Sequence, residues 1–479
     1  MKNQFYVVKL FFSFFLWFLN HQCAPTKLNG PCDPKSESFL LSALLEFGST
    51  DETYLCPIFS GLNPLRVDYG TDFLVFRQGE PIVNLNPYTS EPIEHCESTP
   101  ALPQGVNLNE STCAISGIPI VGMNSTKYFI FAKSRSKQTT IPLVIKSLFA
   151  SKFVFVGSEL GPINSYTINQ TSGALNAGAN IAGGVTEMEI SPNQKYLTIT
   201  SFSTNTITQL SINPTNGNLT LVGSLPSGGT PISIAYHPTK ELLYLRNDFS
   251  ITTFSVDLSS GDLNLIDSLP MSYTGLKSKI EVEPFGNYLY SINSNGNMID
   301  TYRVDPISGL LNGNPIQSIS TVYKPNEFVN SATGKSIYTV NSLDNNVSIF
   351  QIDTSSGILN TYYLPSPTTG VGLNSIVGDP TGRFVYGTNT DSETVAKFGT
   401  NPVNGDLYSL LPFTTSTGAL TRPMGIATDT QGRFLYITNF QANNVGIYLI
   451  NQNDGSLIPN GTVGSTNFPT DIVTAGVNP

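Results

Sequence analysis

An all-β chain, most of it a seven-bladed β-propeller, is what this sequence predicts, and three observations predict it. One turn signature recurs seven times at a near-constant period between residues 150 and 479. Each recurrence sits among short runs of alternating apolar residues. Charged residues make up only 12% of the chain, about half the usual ~25%, and Asn, Ser, Thr, Gly and Pro take their place, a composition suited to dense turns.

The chain opens on an export signal. Lys2 and Lys9 precede an apolar core from Phe11 to Leu19, which is shorter than the ~20 apolar residues of a membrane span. Cys23 follows that core, at the place where bacterial lipoproteins are cleaved and acylated. Asn20, His21 and Gln22 depart from the small residues usual there. Lipidation at Cys23 is expected; ordinary signal cleavage with Cys23 incidental is the alternative. The five cysteines support lipidation, because an odd number in an exported chain leaves one unpaired. Of the remaining four, proximity favours Cys32–Cys56 and Cys96–Cys113, and the oxidising compartment favours disulfides over thiols. No pair has C-x-x-C spacing, so no zinc site is expected.

Residues 24–57 read as a tether holding one short helix over 38–47, stopped by Gly48. Residues 58–146 read as a small β-sandwich. Short apolar runs such as Phe73–Phe76 and Tyr128–Ala132 are parted by Pro, Gly and Asn. Its stretch Pro100–Asn109, continued through Thr112–Pro119, resembles the signature of bacterial immunoglobulin-like domains. The resemblance implies an adhesive or spacer module. Cys113 stands where that family usually has Gly, and with Cys96 it implies an added disulfide between adjacent strands.

The propeller follows from residue 150. Its anchor is [Asn/Asp]-x-x-x-Gly-x-Leu, at Asn169, Asn213, Asp257, Asp305, Asp353, Asn401 and Asn451. The side chain of Asn or Asp folds back on its own backbone, Gly supplies a positive φ, and Leu starts the next strand. Three residues before each anchor stands an apolar position: Tyr166, Leu210, Phe254, Tyr302, Phe350, Phe398 and Tyr448. Four short strands fit each unit, which is one blade. The first unit lacks the strand that leads every later one. That strand reappears at Phe468–Val473, so the ring is expected to close by pairing the two ends of the domain.

Ala235–Pro238, Gly382–Tyr386 and Gly432–Asn439 resemble the lactonase-type seven-bladed propellers, the family of 6-phosphogluconolactonase. The resemblance specifies the fold and leaves the reaction open. Enzymatic members are expected to carry His, Arg and acidic groups at the channel mouth. This chain has three His: His21 in the signal, His95 in the sandwich and His237 in a His-Pro turn. No Gly-x-Ser-x-Gly elbow and no calcium loop occurs. No catalytic residue, metal or cofactor is therefore assigned. The strand that the family makes innermost carries a polar column: Glu187, Ser233, Lys279, Glu327, Ser375, Gly425 and Asp471. An apolar residue follows each one, so alternation sends the two sets to opposite faces.

Glu187, Lys279, Glu327 and Asp471 are the candidate ligand-binding residues, with Glu189, Glu281 and Glu283 adding carboxylates. A formal net charge of −10 with no cationic block excludes nucleic acid and disfavours an anionic membrane surface, leaving a lipid anchor as the only membrane contact. The expectation is a monomeric, lipid-anchored protein of the cell envelope, at the outer membrane or in the periplasm. Its propeller would be a non-enzymatic platform for a protein or small polar ligand. The alternative is a lactone hydrolase.

Overall fold

In the computed structural model the described residues run from 64 to 477, apart from 272–278, 322–323, 363–368, 402–403 and 466. The export signal, Cys23, the Cys32–Cys56 pair and the helix expected over 38–47 lie outside them.

Seven four-stranded antiparallel sheets form the blades. Blade 1 is composite: Asp471–Val477 is its inner strand and pairs with Ala150–Gly157, with Phe155 opposite Val473. Ile163–Ile168 and Leu175–Ile181 complete it outward. The N-terminal side thus supplies three strands and the C-terminal end supplies one, as the displaced strand predicts. The inner strands of blades 2 to 7 are Glu187–Ile190, Pro231–Tyr236, Ile280–Val282, Pro325–Asn330, Leu373–Gly378 and Pro423–Thr428. All seven start at one face of the ring and end at the other, around a central channel.

The anchors make the turns their chemistry predicts. The carbonyl of each Asn or Asp accepts the N–H of its Gly, as in Asn169 with Gly173 at 2.8 Å and Asp257 with Gly261 at 2.6 Å. The Asn169 Oδ1 also accepts from the N–H groups of Thr171 and Ser172, both at 3.0 Å. The apolar position before each anchor is buried in all seven blades. A second column, unread in the sequence, ties blade to blade. Tyr244, Tyr290, Tyr338, Tyr386 and Tyr436 each donate an O–H to the anchor Gly carbonyl of the next blade, at 2.6 to 3.1 Å. These tyrosines are fully buried, so each bond also satisfies a polar group taken out of water.

Before the propeller, Phe73–Arg77, Gln138–Leu148, Met123–Lys133 and His95–Thr99 form a four-stranded sheet, and Ile82–Leu85, Ile115–Gly117 and Val106–Leu108 a three-stranded one. Leu74, Phe76, Ile130 and Ile145 from the first and Val106 and Ile115 from the second share one buried core. The Cys96–Cys113 disulfide is formed. It joins the edge strand of the larger sheet to the turn ahead of Ile115, and so crosses between sheets. Adjacent strands were expected, but Cys113 sits in a turn with a φ of 57°, outside any ladder.

This unit is seated across one end of the ring. Arg77 donates to the Gln431 carbonyl in blade 7 (3.1 Å), Asn124 to the Pro238 carbonyl in blade 3 (2.9 Å), and Lys335 of blade 5 pairs with Asp72 (2.9 Å). Each propeller residue lies just beyond the end of an inner strand. Three contacts spread around the axis place the sandwich over the channel at that face.

Candidate functional site

The polar column lies at the opposite end of the channel, which the described residues of the sandwich leave uncovered. Glu187, Lys279, Glu327, Ser375 and Asp471 together line both a mouth cavity of about 240 Å³ and a deeper one of about 350 Å³. All four sequence-predicted binding residues are thus brought together. The residues that follow them, Met188, Ile280, Phe328 and Ile472, are buried between blades, as period-2 alternation requires.

The column is part of the ring's own bonding. Asp471 accepts the Met188 N–H at 2.7 Å, Glu187 the Ile234 N–H at 3.2 Å, and the Ser233 hydroxyl the Ile280 N–H at 3.1 Å. In these three steps, from blade 1 to blade 4, a side chain at one column position takes the next residue's amide in the following blade. One step deeper, Glu281 accepts the Asn330 N–H at 2.8 Å. The carboxylates are half-buried and fixed, and Ser233 is fully buried. The narrow channel between seven inner strands removes most of their water.

Low access to water sets the electrostatics. Glu187 and Lys279 form an ion pair. Burial alone would lower the Lys279 ammonium, but the Glu187, Glu189 and Glu327 carboxylates together raise it above an ordinary lysine. Burial pushes Glu327 up to about 7, against the opposing effects of Lys279 and the Ser375 hydroxyl. Burial likewise pushes Glu281 up to about 7, Glu189 to about 8 and Asp471 to about 6, with neighbouring carboxylates such as Glu187 adding to the rise. A lysine held positive therefore faces carboxyl groups that exchange protons near neutrality.

Other predicted residues take structural places. His237 lies in the turn at the covered end, where its Nδ1 accepts the N–H groups of Thr239 (3.2 Å) and Lys240 (3.0 Å). Its Nε2 therefore donates to the Gly286 carbonyl at 3.1 Å. Burial lowers it to about 4, so it is neutral at pH 7. Glu283 caps its own turn, accepting from the N–H groups of Phe285 and Asn287. His95 sits at a sheet edge beside Glu97. Among the described residues no group of three or more His, Cys, Asp or Glu could hold a metal ion.

Sequence reasoning missed the outer lip: Thr186, Asn326, Asn374 and Thr470 also line the mouth. Strict alternation turns them away from the channel. In blades 3, 5 and 6 the register shifts just before the column residue, between Pro231 and Ser233, Pro325 and Glu327, and Leu373 and Ser375. A bulge adds a residue and re-aims the side chain, which brings Asn326 and Asn374 to the opening. The one sequence signal is that the position before each column residue is often polar.

Comparison with known proteins agrees with this geometry. The profile of the family described as "Lactonase, 7-bladed beta-propeller" matches residues 156–276, 234–366 and 363–473. No curated protein matches the sequence. Among solved structures, the periplasmic gluconolactonase of Pseudomonas aeruginosa superimposes with a TM-score of 0.58 at 17% identity, covering 68% of this chain and 100% of that one. A 6-phosphogluconolactonase candidate from Bacteroides uniformis gives 0.59 at 19% identity, covering 68% and 99%. A protein of unknown function from Desulfotomaculum acetoxidans gives 0.57 at 17% identity, covering 68% of this chain. At these identities the superpositions speak for the fold alone. With its propeller matched by the family profile from residue 156 to residue 473, the chain belongs to the seven-bladed lactonase propellers.

Proposed function

We propose that the propeller binds a lactone at its uncovered mouth and hydrolyses it. One observation carries this reading: a positively charged Lys279 and a Glu327 carboxyl held at about 7 line the same cavity. A general base works best when its pKa lies near the operating pH, and a fixed ammonium favours an oxyanion. The Glu327 carboxylate takes a proton from water as the water oxygen adds to the lactone carbonyl carbon. Lys279 faces the negative charge that gathers on the carbonyl oxygen. The tetrahedral species then collapses, the ring C–O bond breaks, and the proton passes from Glu327 to the departing alkoxide. The product is the open hydroxy acid. Glu187 and Asp471, tied to backbone amides, hold the two sides of the mouth in place.

Five carboxyls (Glu187, Glu189, Glu281, Glu327 and Asp471) surround this one ammonium. Such a site disfavours a phosphate dianion and favours an uncharged lactone. Hydrolysis of δ-gluconolactone by the full chain tests the reading, with kcat/KM expected to rise with pH through about 7. Glu327→Gln should lower kcat by roughly a hundredfold, the lower end for loss of a general base. Turnover equal to the uncatalysed rate, or an unaltered Glu327→Gln enzyme, would overturn it.

A second reading, a binding platform without turnover, is favoured by the amide bonds that fix the column residues as parts of the ring. Here an immunoglobulin-like sandwich serves as spacer and Cys23 as lipid anchor in the cell envelope. Intact mass of membrane-extracted protein tests the anchor, since an unacylated mature N-terminus refutes it.

A further inference from the structure

We infer that the ligand taken at this mouth is amphipathic: a lactone ring carrying an apolar alkyl or aryl substituent that lies along a crown of exposed apolar side chains. The inference rests on the hydrolase reading for the identity of the ring, and on separate observations for the substituent. Each blade alternates strand direction, so the link into the inner strand and the turn between the second and third strands share the uncovered face. Leu160, Phe202, Phe249 and Leu343 occupy those turns, and Leu420 and Phe468 occupy the links. All six are exposed, Leu160 at 87%, Leu420 at 67% and Phe249 at 61%. Scattered exposed apolar residues are ordinary, but several gathered at equivalent loops of one face mark a contact surface. Among the described residues of the anchor turns at the covered face, Ser, Thr and Asn predominate, with Ile307 the exposed large apolar exception.

The crown is continuous with the cavity. The Phe202 N–H donates to the Thr186 hydroxyl at 2.7 Å, and Thr186 lines the mouth. Phe468 stands two residues before Thr470, also in the cavity wall. Its ring packs 5.0 Å from that of Phe440, over which Arg422 lies at 5.5 Å. The lip is therefore an ordered apolar shelf beside a charged well. The mouth cavity, at about 240 Å³, accommodates a small ring, and the way from it into the deeper cavity is ringed by Glu187, Lys279, Glu327 and Asp471. An apolar substituent matches that charged ring poorly and lies instead past the lip, on the crown. A wholly hydrophilic sugar lactone would leave that shelf in water.

The test measures hydrolysis of γ-butyrolactone and of γ-dodecalactone, the same ring with an octyl chain, by the full chain and by the Phe202→Ser/Phe249→Ser and Leu420→Ser/Phe468→Ser variants. The expected result is a kcat/KM about tenfold or more higher for the alkyl lactone, in line with apolar contacts in specificity, and a ratio near one in at least one variant. Equal turnover of both lactones, or a preference untouched in both variants, overturns the inference and leaves the hydrolase reading standing. The crown would then serve another occupant, such as a protein. If neither lactone is hydrolysed, the hydrolase reading is decided by δ-gluconolactone and calorimetry decides the inference alone. Binding of γ-dodecalactone that is tighter than that of γ-butyrolactone and weakened in the variants upholds it; equal or absent binding overturns it.

Discussion

The Asp471 carboxylate accepts the Met188 backbone N–H at 2.7 Å, across 283 positions of sequence. One side chain thereby fastens the last strand of the ring to its first uninterrupted blade and also lines the channel mouth. The two roles separate by substitution. Asp471→Asn keeps an oxygen acceptor and should leave the melting temperature within a degree or two. Asp471→Ala leaves a buried amide without a partner, at a cost of ~1–3 kcal/mol. Equal melting temperatures for the two variants would show that the bond contributes nothing.

The closing blade offers a matching test at the covered face. Tyr436 donates to the Gly173 carbonyl at 3.0 Å, and both groups are buried. Tyr436→Phe should cost ~1–3 kcal/mol by stranding that carbonyl. Gly173→Ala should cost more. Its φ is +73°, and a Cβ would come within 2.5 Å of the Phe434 ring. Urea titrations give both values, and a Gly173→Ala protein as stable as the parent contradicts the geometry.

A chain ending at Ser465 loses the inner strand Asp471–Val477 and uncovers the edge of Ala150–Gly157. Exposed edges invite pairing with other chains. Aggregation, or a melting temperature lowered by ten degrees or more, is expected by light scattering and calorimetry. A monomeric truncation melting like the parent would mean that closure is dispensable.

Stability should fall as pH rises through neutrality. Unfolded, Glu189, Glu281 and Glu327 ionise near 4.5 and Asp471 near 3.8; folded, burial holds them at about 8, 7, 7 and 6. Between those limits the folded state keeps protons that the unfolded state has shed, so their contribution is full below about 4 and is lost by about 8. His237 acts in the opposite sense: folded at about 4 against 6.5 unfolded, its contribution is lost as pH drops through that window. With four carboxyls against one imidazole, the melting temperature should decline from pH 5.5 to 8.5. Glu327→Gln should flatten part of the slope. A melting temperature that rises over this range would reverse the assigned protonation states.

The ring was legible in the sequence because its signals are local. Asn169 and Gly173 lie in one hairpin, and the strand missing before Phe153 reappears as a recognisable copy at Phe468–Val473. The column was legible because Glu187, Lys279, Glu327 and Asp471 each stand at one register of a repeating unit. What stayed hidden depends on contacts between distant segments. No pattern around Tyr436 announces its bond to Gly173. Bulges ahead of Glu327 and Ser375, which turn Asn326 and Asn374 to the opening, violate the alternation used to predict orientation. The path of the Cys96–Cys113 link from sheet to sheet depends on how the sheets face each other. The proton affinities of Glu189 and Glu281 follow from the water excluded by seven converging strands.

The sandwich seated across the far end, through Arg77, Asn124 and Asp72, makes the bore resemble a flask whose neck is ringed by Glu187, Lys279, Glu327 and Asp471. On the hydrolase reading, an uncharged lactone would meet little resistance on the way in, whereas the hydroxy acid formed from it would carry a negative charge past the same carboxylates and be driven out. Such a vessel would empty itself by the charge its own chemistry creates.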